Sequence, residues 1–191
     1  MYTIAITGGI GSGKSVVSTV LRIMGYPVYD SDSEAKKLMD ESLEIRQAIA
    51  NRISPDAITP DGHIDRQRLA RIVFTDKSAL ATLNSIVHSS VRDHFDKWRQ
   101  RDKVAFIETA ILYQSRLDQM VNEVWDVIAP TEVRINRVMK RNGITAEQVR
   151  ARIEAQQFIP DTPHPNVHTI TNAPDVPVLP QIIALLPQIG R

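Results

Sequence analysis

The 191-residue chain contains no cysteine. That excludes a disulfide framework, a thiolate nucleophile and a zinc–thiolate site. No apolar run approaches the roughly 18 residues that a membrane-spanning helix needs. No internal repeat and no low-complexity tract is present. Excess charge is also lacking: 23 Lys and Arg stand against 22 Asp and Glu, a formal net charge of +1. That balance argues against a broad nucleic-acid surface, though not against a local phosphate site. The start of the chain has no basic signal-peptide region, and its first motif comes too early for a presequence. A cytoplasmic protein without membrane or nucleic-acid partners is expected. What is present is 42% hydrophobic residues, enough for the core of one domain with an insertion or a mobile lid.

The strongest signal is at the start. Tyr2-Thr3-Ile4-Ala5-Ile6-Thr7 is apolar and β-branched and reads as a buried strand. It breaks into Gly8-Gly9-Ile10-Gly11-Ser12-Gly13-Lys14-Ser15, after which Val16, Val17, Val20 and Leu21 follow a helical period. The spacing is that of a phosphate-binding loop, GxxxxGK[ST], with the strand before and the helix after that such a loop requires. Glycines let successive backbone N–H groups converge on phosphate oxygens, and the positive end of the helix adds to the attraction. Lys14 would bridge the β- and γ-phosphates, and the Ser15 hydroxyl would ligate Mg²⁺. The chain is expected to bind a nucleoside triphosphate.

Further on, helix is expected over residues 14–24, ended by Gly25, and a strand over 26–29 that delivers Asp30-Ser31-Asp32. Helix resumes at Ser33, and Ser42 caps another helix with Leu43, Ile49 and Ile53 on one face. Residues 54–64, with Pro55, Pro60 and Asp61-Gly62, read as loop. Three helical segments follow, marked by Leu69-Ile72-Val73, Leu80-Leu83-Val87 and Val91-Phe95-Trp98. This all-helical stretch is expected as an insertion, about 40–103, forming one wall of a cleft. Strands are expected at 104–107 and 124–129, then a helix over 131–142. A capping box at Thr145-Ala146-Glu147-Gln148 begins the next helix, a fifth strand spans 167–171, and a helix closes the chain. Strands alternating with helices imply a parallel, doubly wound sheet, here an α/β fold of the P-loop kinase type with five strands.

A phosphate loop alone does not make an enzyme. No Asn-Lys-x-Asp is present, which counts against a guanine-selective GTPase, and the chain is short for an ATPase motor module. Arg134, Arg137, Lys140 and Arg141 cluster on a hairpin over about 131–160. They read either as a solvated helix face or as a lid that neutralises the γ-phosphoryl oxygens and excludes water. Asp30 and Asp32, on an extended segment, would project oppositely. Either one caps a helix, or one serves an acceptor hydroxyl as base or aligning group. Glu108, at the end of the third strand, reads as an acid near the metal's water shell or as a surface acid closing the strand.

The phosphate loop followed by Asp30-Ser31-Asp32 resembles the dephospho-coenzyme A kinases. So do Gly62-His63-Ile64-Asp65-Arg66 with Leu69 and Val73-Phe74, Leu83-Asn84-Ser85-Ile86-Val87-His88, Arg137 to Gly143 with Arg152 and Gln156, and Thr171-Asn172. The resemblance covers almost the whole chain in the right order. It implies transfer of the ATP γ-phosphoryl group to the ribose 3′-hydroxyl of dephospho-coenzyme A, with Mg²⁺ as cofactor. It makes Asp32 the acid beside the acceptor hydroxyl and Arg141 the lid arginine. With Lys14 these form the expected catalytic set. ATP is expected to touch Gly8, Gly9, Gly11, Ser12, Gly13, Lys14, Ser15, Val16 and Arg137, with Asn172 near adenine. The insertion becomes the coenzyme A wall, with acceptor contacts from Asp30, Asp32, His63, Asp65, Arg66, Leu69, Asn84 and His88. Two departures stand out: His88-Ser89 where the family has His-Pro, and Ala110-Ile111-Leu112-Tyr113-Gln114 where it has Pro-Leu-Leu-Phe-Glu. Another small-molecule or nucleoside monophosphate kinase, or a nucleotide-sensing module without turnover, are the competing readings.

Overall fold

Five strands form one wholly parallel sheet: β1 (Tyr2–Thr7), β2 (Val28–Asp30), β3 (Val104–Glu108), β4 (Glu123–Ile128) and β5 (Val167–Thr171). Their order is β2-β3-β1-β4-β5, as seen in a computed structural model that describes residues 1–156 and 158–186. β1 lies at the centre, with later strands leaving to both sides, so the crevice outside its carboxyl end is where an α/β sheet of this kind takes ligands. The helices are α1 (Lys14–Ile23), α2 (Ser31–Glu41), α3 (Leu43–Arg52), α4 (Arg66–Thr75), α5 (Lys77–Arg99), α6 (Thr131–Asn142), α7 (Ala146–Ala155) and α8 (Val178–Leu185). None of them is long and apolar enough to cross a membrane.

The chain divides into two compact units. One comprises Met1–Asp30 and the chain from Arg99 onward. One face of its sheet buries Ile4, Ile6, Phe106, Trp125, Val127 and Ile170 against Val17 and Leu21 of α1 and Ile182 of α8. Phe106 meets Trp125 edge-on at 5.3 Å between ring centres, which fixes the middle of this core. A separate small core of Ile135, Val138, Val149 and Ile153 joins α6 to α7 and takes in the side chain of Ile10. The second unit, Ser31–Trp98, is helical and builds its own core from Ile45, Ile49, Ala57, Leu69 and Ile86.

Several local expectations are corrected. The residues expected as two segments after Leu80 form one 23-residue helix, α5. No glycine or proline lies between Lys77 and Arg99, and the Ser90 hydroxyl turns back to the carbonyl of Ile86, so nothing breaks the ladder at Ser89. Asp30 and Asp32 do not share an extended segment: Asp30 is the last residue of β2 and Asp32 lies in the first turn of α2. A carboxylate there meets the positive helix end, which favours early helix initiation. Ser42 does cap α3, accepting from the Ile45 N–H, but Leu43 is exposed and Ile45 joins Ile49 on the buried face. The loop over 54–64 holds a 3-10 turn at Pro55–Ala57 and an antiparallel bridge between Ile58 and Ile64.

At the opposite end of the sheet from the phosphate loop lies a buried acid, Glu123, only 2% exposed. Its Oε1 accepts from Trp125 Nε1 at 2.6 Å and its Oε2 from the Tyr2 hydroxyl at 3.1 Å. His168 Nε2 stands 3.3 Å away. Burial, and then the Glu123 carboxylate, push the Tyr2 hydroxyl above its ordinary pKa. Glu123→Ala should therefore orphan the buried indole N–H and open a cavity, costing about 2–4 kcal/mol in urea unfolding. Because the site lies at the other end of the strands, turnover per folded molecule should not change.

Candidate active site

The turn from β1 to α1 follows from its residue types. Gly13 takes φ 99° as the N-cap of α1, and a Cβ there would stand 1.8 Å from Asn172 Nδ2. Neither the backbone angle nor the space admits a side chain. The carbonyls of Ile10, Gly11 and Ser12 are tied off by α6 and by the residue after β5. Arg134 Nε donates to the Ile10 carbonyl at 2.9 Å, and Arg137 Nη1 reaches those of Gly11 and Ser12 at 3.5 and 3.4 Å. Asn172, buried, donates from Nδ2 to the Ser12 carbonyl at 2.9 Å and accepts from Arg137 Nη2 at 3.1 Å. The N–H groups of Gly11, Gly13 and Ser15 take no acceptor among the described residues. A loop whose carbonyls are satisfied on one side and whose N–H groups stay open on the other is a receptor for an anion. Lys14 Nζ, 2.8 Å from the Gly8 carbonyl and 3.5 Å from that of Gly9, folds over this concavity.

The remaining residues expected at a nucleotide take varied places. The Ser12 side chain is buried with its hydroxyl unpartnered, so this residue serves the loop through its shape. Val16 is 48% exposed on α1. The exposed Ser15 hydroxyl has no partner among the described residues. Arg141, exposed at the end of α6, donates to Asn142 Oδ1 rather than to the loop.

A cavity of about 580 Å³ opens beside Gly8 and Gly9 in the same unit. Leu112, Tyr113 and Gln114 line it from the loop after β3, and Gln156 and Phe158 from the chain after α7. That loop, which departs from the family's proline-containing pattern, is held by hydroxyls instead. Thr109 accepts from the Ile111 N–H and Ser115 donates to the carbonyls of Ile111 and Leu112. On the cavity wall stands Asp126, absent from the expected set. It lies next to Thr7 in the β1–β4 register. Burial raises its pKa above the ordinary carboxylate value, and the Lys14 charge pulls it partly back. Its signal is an acid set between Trp125 and Val127 in the strand Glu-Val-Trp-Asp-Val-Ile, a residue type almost never buried without a partner. Gln156, absent from the expected site residues, accepts through its Oε1 from the Ile10 N–H at 2.8 Å. Asp30 and Glu108 are register partners at the carboxyl ends of β2 and β3.

Within the helical unit, Asp65 caps α4, accepting from the Arg68 N–H at 2.9 Å. Arg66 pairs with Asp40 at 2.6 Å, both well exposed. Leu69 is 3% exposed inside the unit's core, so it supports the surface from behind. His63 is exposed on a turn closed by Thr59. Asn84 and His88 are one turn apart on α5 and share a face. Burial first, and then the charge of Arg92, lower the His88 pKa below the ordinary histidine value and favour the neutral ring.

The family model for dephospho-CoA kinase matches residues 2–172. A dephospho-CoA kinase from Porphyromonas gingivalis is 40% identical over 189 residues, covering 97% of this chain and 93% of the relative. One from Bacteroides fragilis is 34% identical over 186 residues, covering 96% and 90%. Among solved structures, a Thermus thermophilus protein superposes with a TM-score of 0.74 at 32% identity, covering 98% of this chain and 95% of that one. An Acinetobacter baumannii shikimate kinase, at TM-score 0.52 and 16% identity with 98% and 93% covered, shares the fold alone.

Proposed function

The chain belongs to the dephospho-CoA kinase family, and from that premise we propose how its own residues carry the family's ATP-dependent reaction. The acceptor is the ribose 3′-hydroxyl of dephospho-coenzyme A, the last substrate of coenzyme A synthesis. Its oxygen bonds to the γ-phosphorus of ATP while the bond to the β,γ-bridging oxygen breaks, ADP departs, and the hydroxyl proton passes to Asp32. The observation that carries the reading is the loop. Its carbonyls are tied off by Arg134, Arg137 and Asn172, and its open N–H groups meet the positive end of α1. Phosphoryl transfer asks a protein mainly for positioning and charge compensation, and that is what such a loop supplies.

Lys14 compensates charge shared by the β- and γ-phosphates. Mg²⁺ fits the residues present. The Ser15 hydroxyl is an available oxygen ligand, and no cluster of three or more His, Asp or Glu among the described residues offers a protein cage. That suits an ion held largely by phosphate oxygens and water, with Ser15 as its protein ligand. When bound, the ion neutralises negative charge on the β- and γ-phosphates. In this reading Asn172 serves adenine and Arg137 is a further contact to ATP. The hairpin over 131–160 serves as a lid, Arg141 approaching on closure. Asp30, His63, Asp65, Arg66, Asn84 and His88 supply polar contacts to the acceptor, over a surface that Leu69 buttresses.

The test is ADP release measured with and without dephospho-coenzyme A, with the new phosphate located by mass spectrometry after phosphatase and nuclease digestion. Release should depend on dephospho-coenzyme A, and the product should carry a 3′-phosphate. Preference for AMP or shikimate as acceptor, or ATP binding without turnover on any acceptor, would overturn the proposal.

A further inference from the structure

The second glycine of the phosphate loop has no explanation in the loop itself. Gly9 occupies a motif position open to any residue, and its φ is not positive. What it admits is an arginine. A Cβ on Gly9 would stand 2.4 Å from Arg134 Nη2 and 2.9 Å from Arg134 Cζ, so the guanidinium lies directly against the glycine. Arg134 is then fixed by its Nε bond to the Ile10 carbonyl. Ile10 is itself immobilised twice more, by Gln156 on its N–H and by its side chain in the α6–α7 core. The arginine is thus anchored through one of its donors on a loop apex that is already held.

The other donors have nothing to do. Nη1 and Nη2 take no hydrogen-bond partner and no carboxylate among the described residues, although the side chain is half-buried. Arg66 and Arg150, by contrast, each hold an acid. A partly desolvated cation that lies against Gly9 of the phosphate loop, without a counter-charge among the described residues, is incomplete until an anion arrives. We propose that Arg134 is a catalytic residue, whose Nη groups bind the oxygens of the terminal phosphoryl group of the triphosphate from the outset, before Arg141 at the far end of α6 approaches. Its planar fork matches phosphate oxygens. It donates hydrogen bonds only; the proton and the leaving group move as described above. This rests on the kinase reading and names the residue that the oxygens of the transferring group meet first.

The experiment compares the full-length chain with Arg134→Ala, Arg134→Lys and Gly9→Ala. Turnover with dephospho-coenzyme A, melting temperature, and affinities for Mg·ADP and for Mg·ADP–beryllofluoride are measured for each. Beryllofluoride stands in for the terminal phosphoryl group, so only it should report on the Nη donors. Arg134→Ala should lower kcat about 10- to 100-fold, below the range for a sole arginine finger because Arg137 and Arg141 share the charge. Beryllofluoride affinity should fall with kcat while ADP affinity stays within about twofold, and Arg134→Lys should recover part of the loss. Gly9→Ala, which displaces the guanidinium without deleting it, should cost as much alone but nothing further in an Arg134→Ala background. A latch that merely shapes the loop would instead weaken ADP and beryllofluoride equally, and that result overturns the proposal. So does full activity in Arg134→Ala. A wild-type chain with no dephospho-coenzyme A-dependent turnover condemns the functional reading instead, while the beryllofluoride arm still judges Arg134.

Discussion

Lys14→Ala should lose about a thousandfold in kcat/KM while melting almost where the wild type does. The ammonium lies over the loop it belongs to, 2.8 Å from the Gly8 carbonyl, and contributes to no apolar core. Bound triphosphate would draw it away from those carbonyls onto oxygens carrying full charge. A cation–anion pair about 4 Å apart near a protein surface is worth about 4 kcal/mol, and each 1.36 kcal/mol is a factor of ten in rate. Stability should change by about 1 kcal/mol at most, since what is lost are hydrogen bonds to loop carbonyls and no apolar core is touched. Lys14→Arg should not rescue, because the planar fork is longer and wider than the single ammonium the loop encloses. The same substitution has a second readout. Lys14 partly offsets the burial that raises the Asp126 pKa, so without it that carboxyl should take up its proton at still higher pH. Steady-state kinetics, a melting curve and a ¹³C titration of Asp126 check all three. Turnover near wild type in Lys14→Ala would remove the phosphate-loop argument.

The loop was legible in the sequence because its chemistry is local: eight consecutive residues dictate both their shape and their ligand. The same holds for α6, whose limits at Thr131 and Asn142 are set by Pro130 before it and Gly143 after it. The α7 capping box, Thr145 with Gln148, is likewise local. What the sequence hid is what the fold brings together from afar. Arg134 is 124 positions from the carbonyl it caps and Asn172 is 160 from its own, so no spacing rule connects them. As a row of cations on one helix, Arg134 and Arg137 read either as a solvated face or as a lid; their acceptors on the loop separate them from Arg141. Asp126 was hidden differently, as an acid flanked by Trp125 and Val127 in a strand whose apolar residues announce a core. The long α5 misled because hydrophobic spacing marks a buried face but does not mark where a helix stops.

Asp32→Asn should lower kcat at least a hundredfold with ATP affinity little changed. The substitution preserves the volume and one acceptor oxygen, so what it removes is charge and basicity. General-base assistance is worth about 10²–10⁴-fold. The loose transition state of phosphoryl transfer needs little early deprotonation, which puts the expected loss at the low end, with alignment of the hydroxyl the larger part. Asp32 is exposed in the first turn of α2, where the helix end favours an anion by about 0.3–1 kcal/mol. A melting shift larger than that would mean the variant had disturbed the helix and not the chemistry alone. Asp30 is the internal control. It ends β2, in register with Glu108, and reaches a different environment from a residue one helical step further on. Asp30→Asn should therefore act on KM for dephospho-coenzyme A more than on kcat. If Asp30→Asn is the crippling change and Asp32→Asn is mild, the acid beside the acceptor hydroxyl is the one that closes the strand, and the proton-accepting role moves two residues back along the chain.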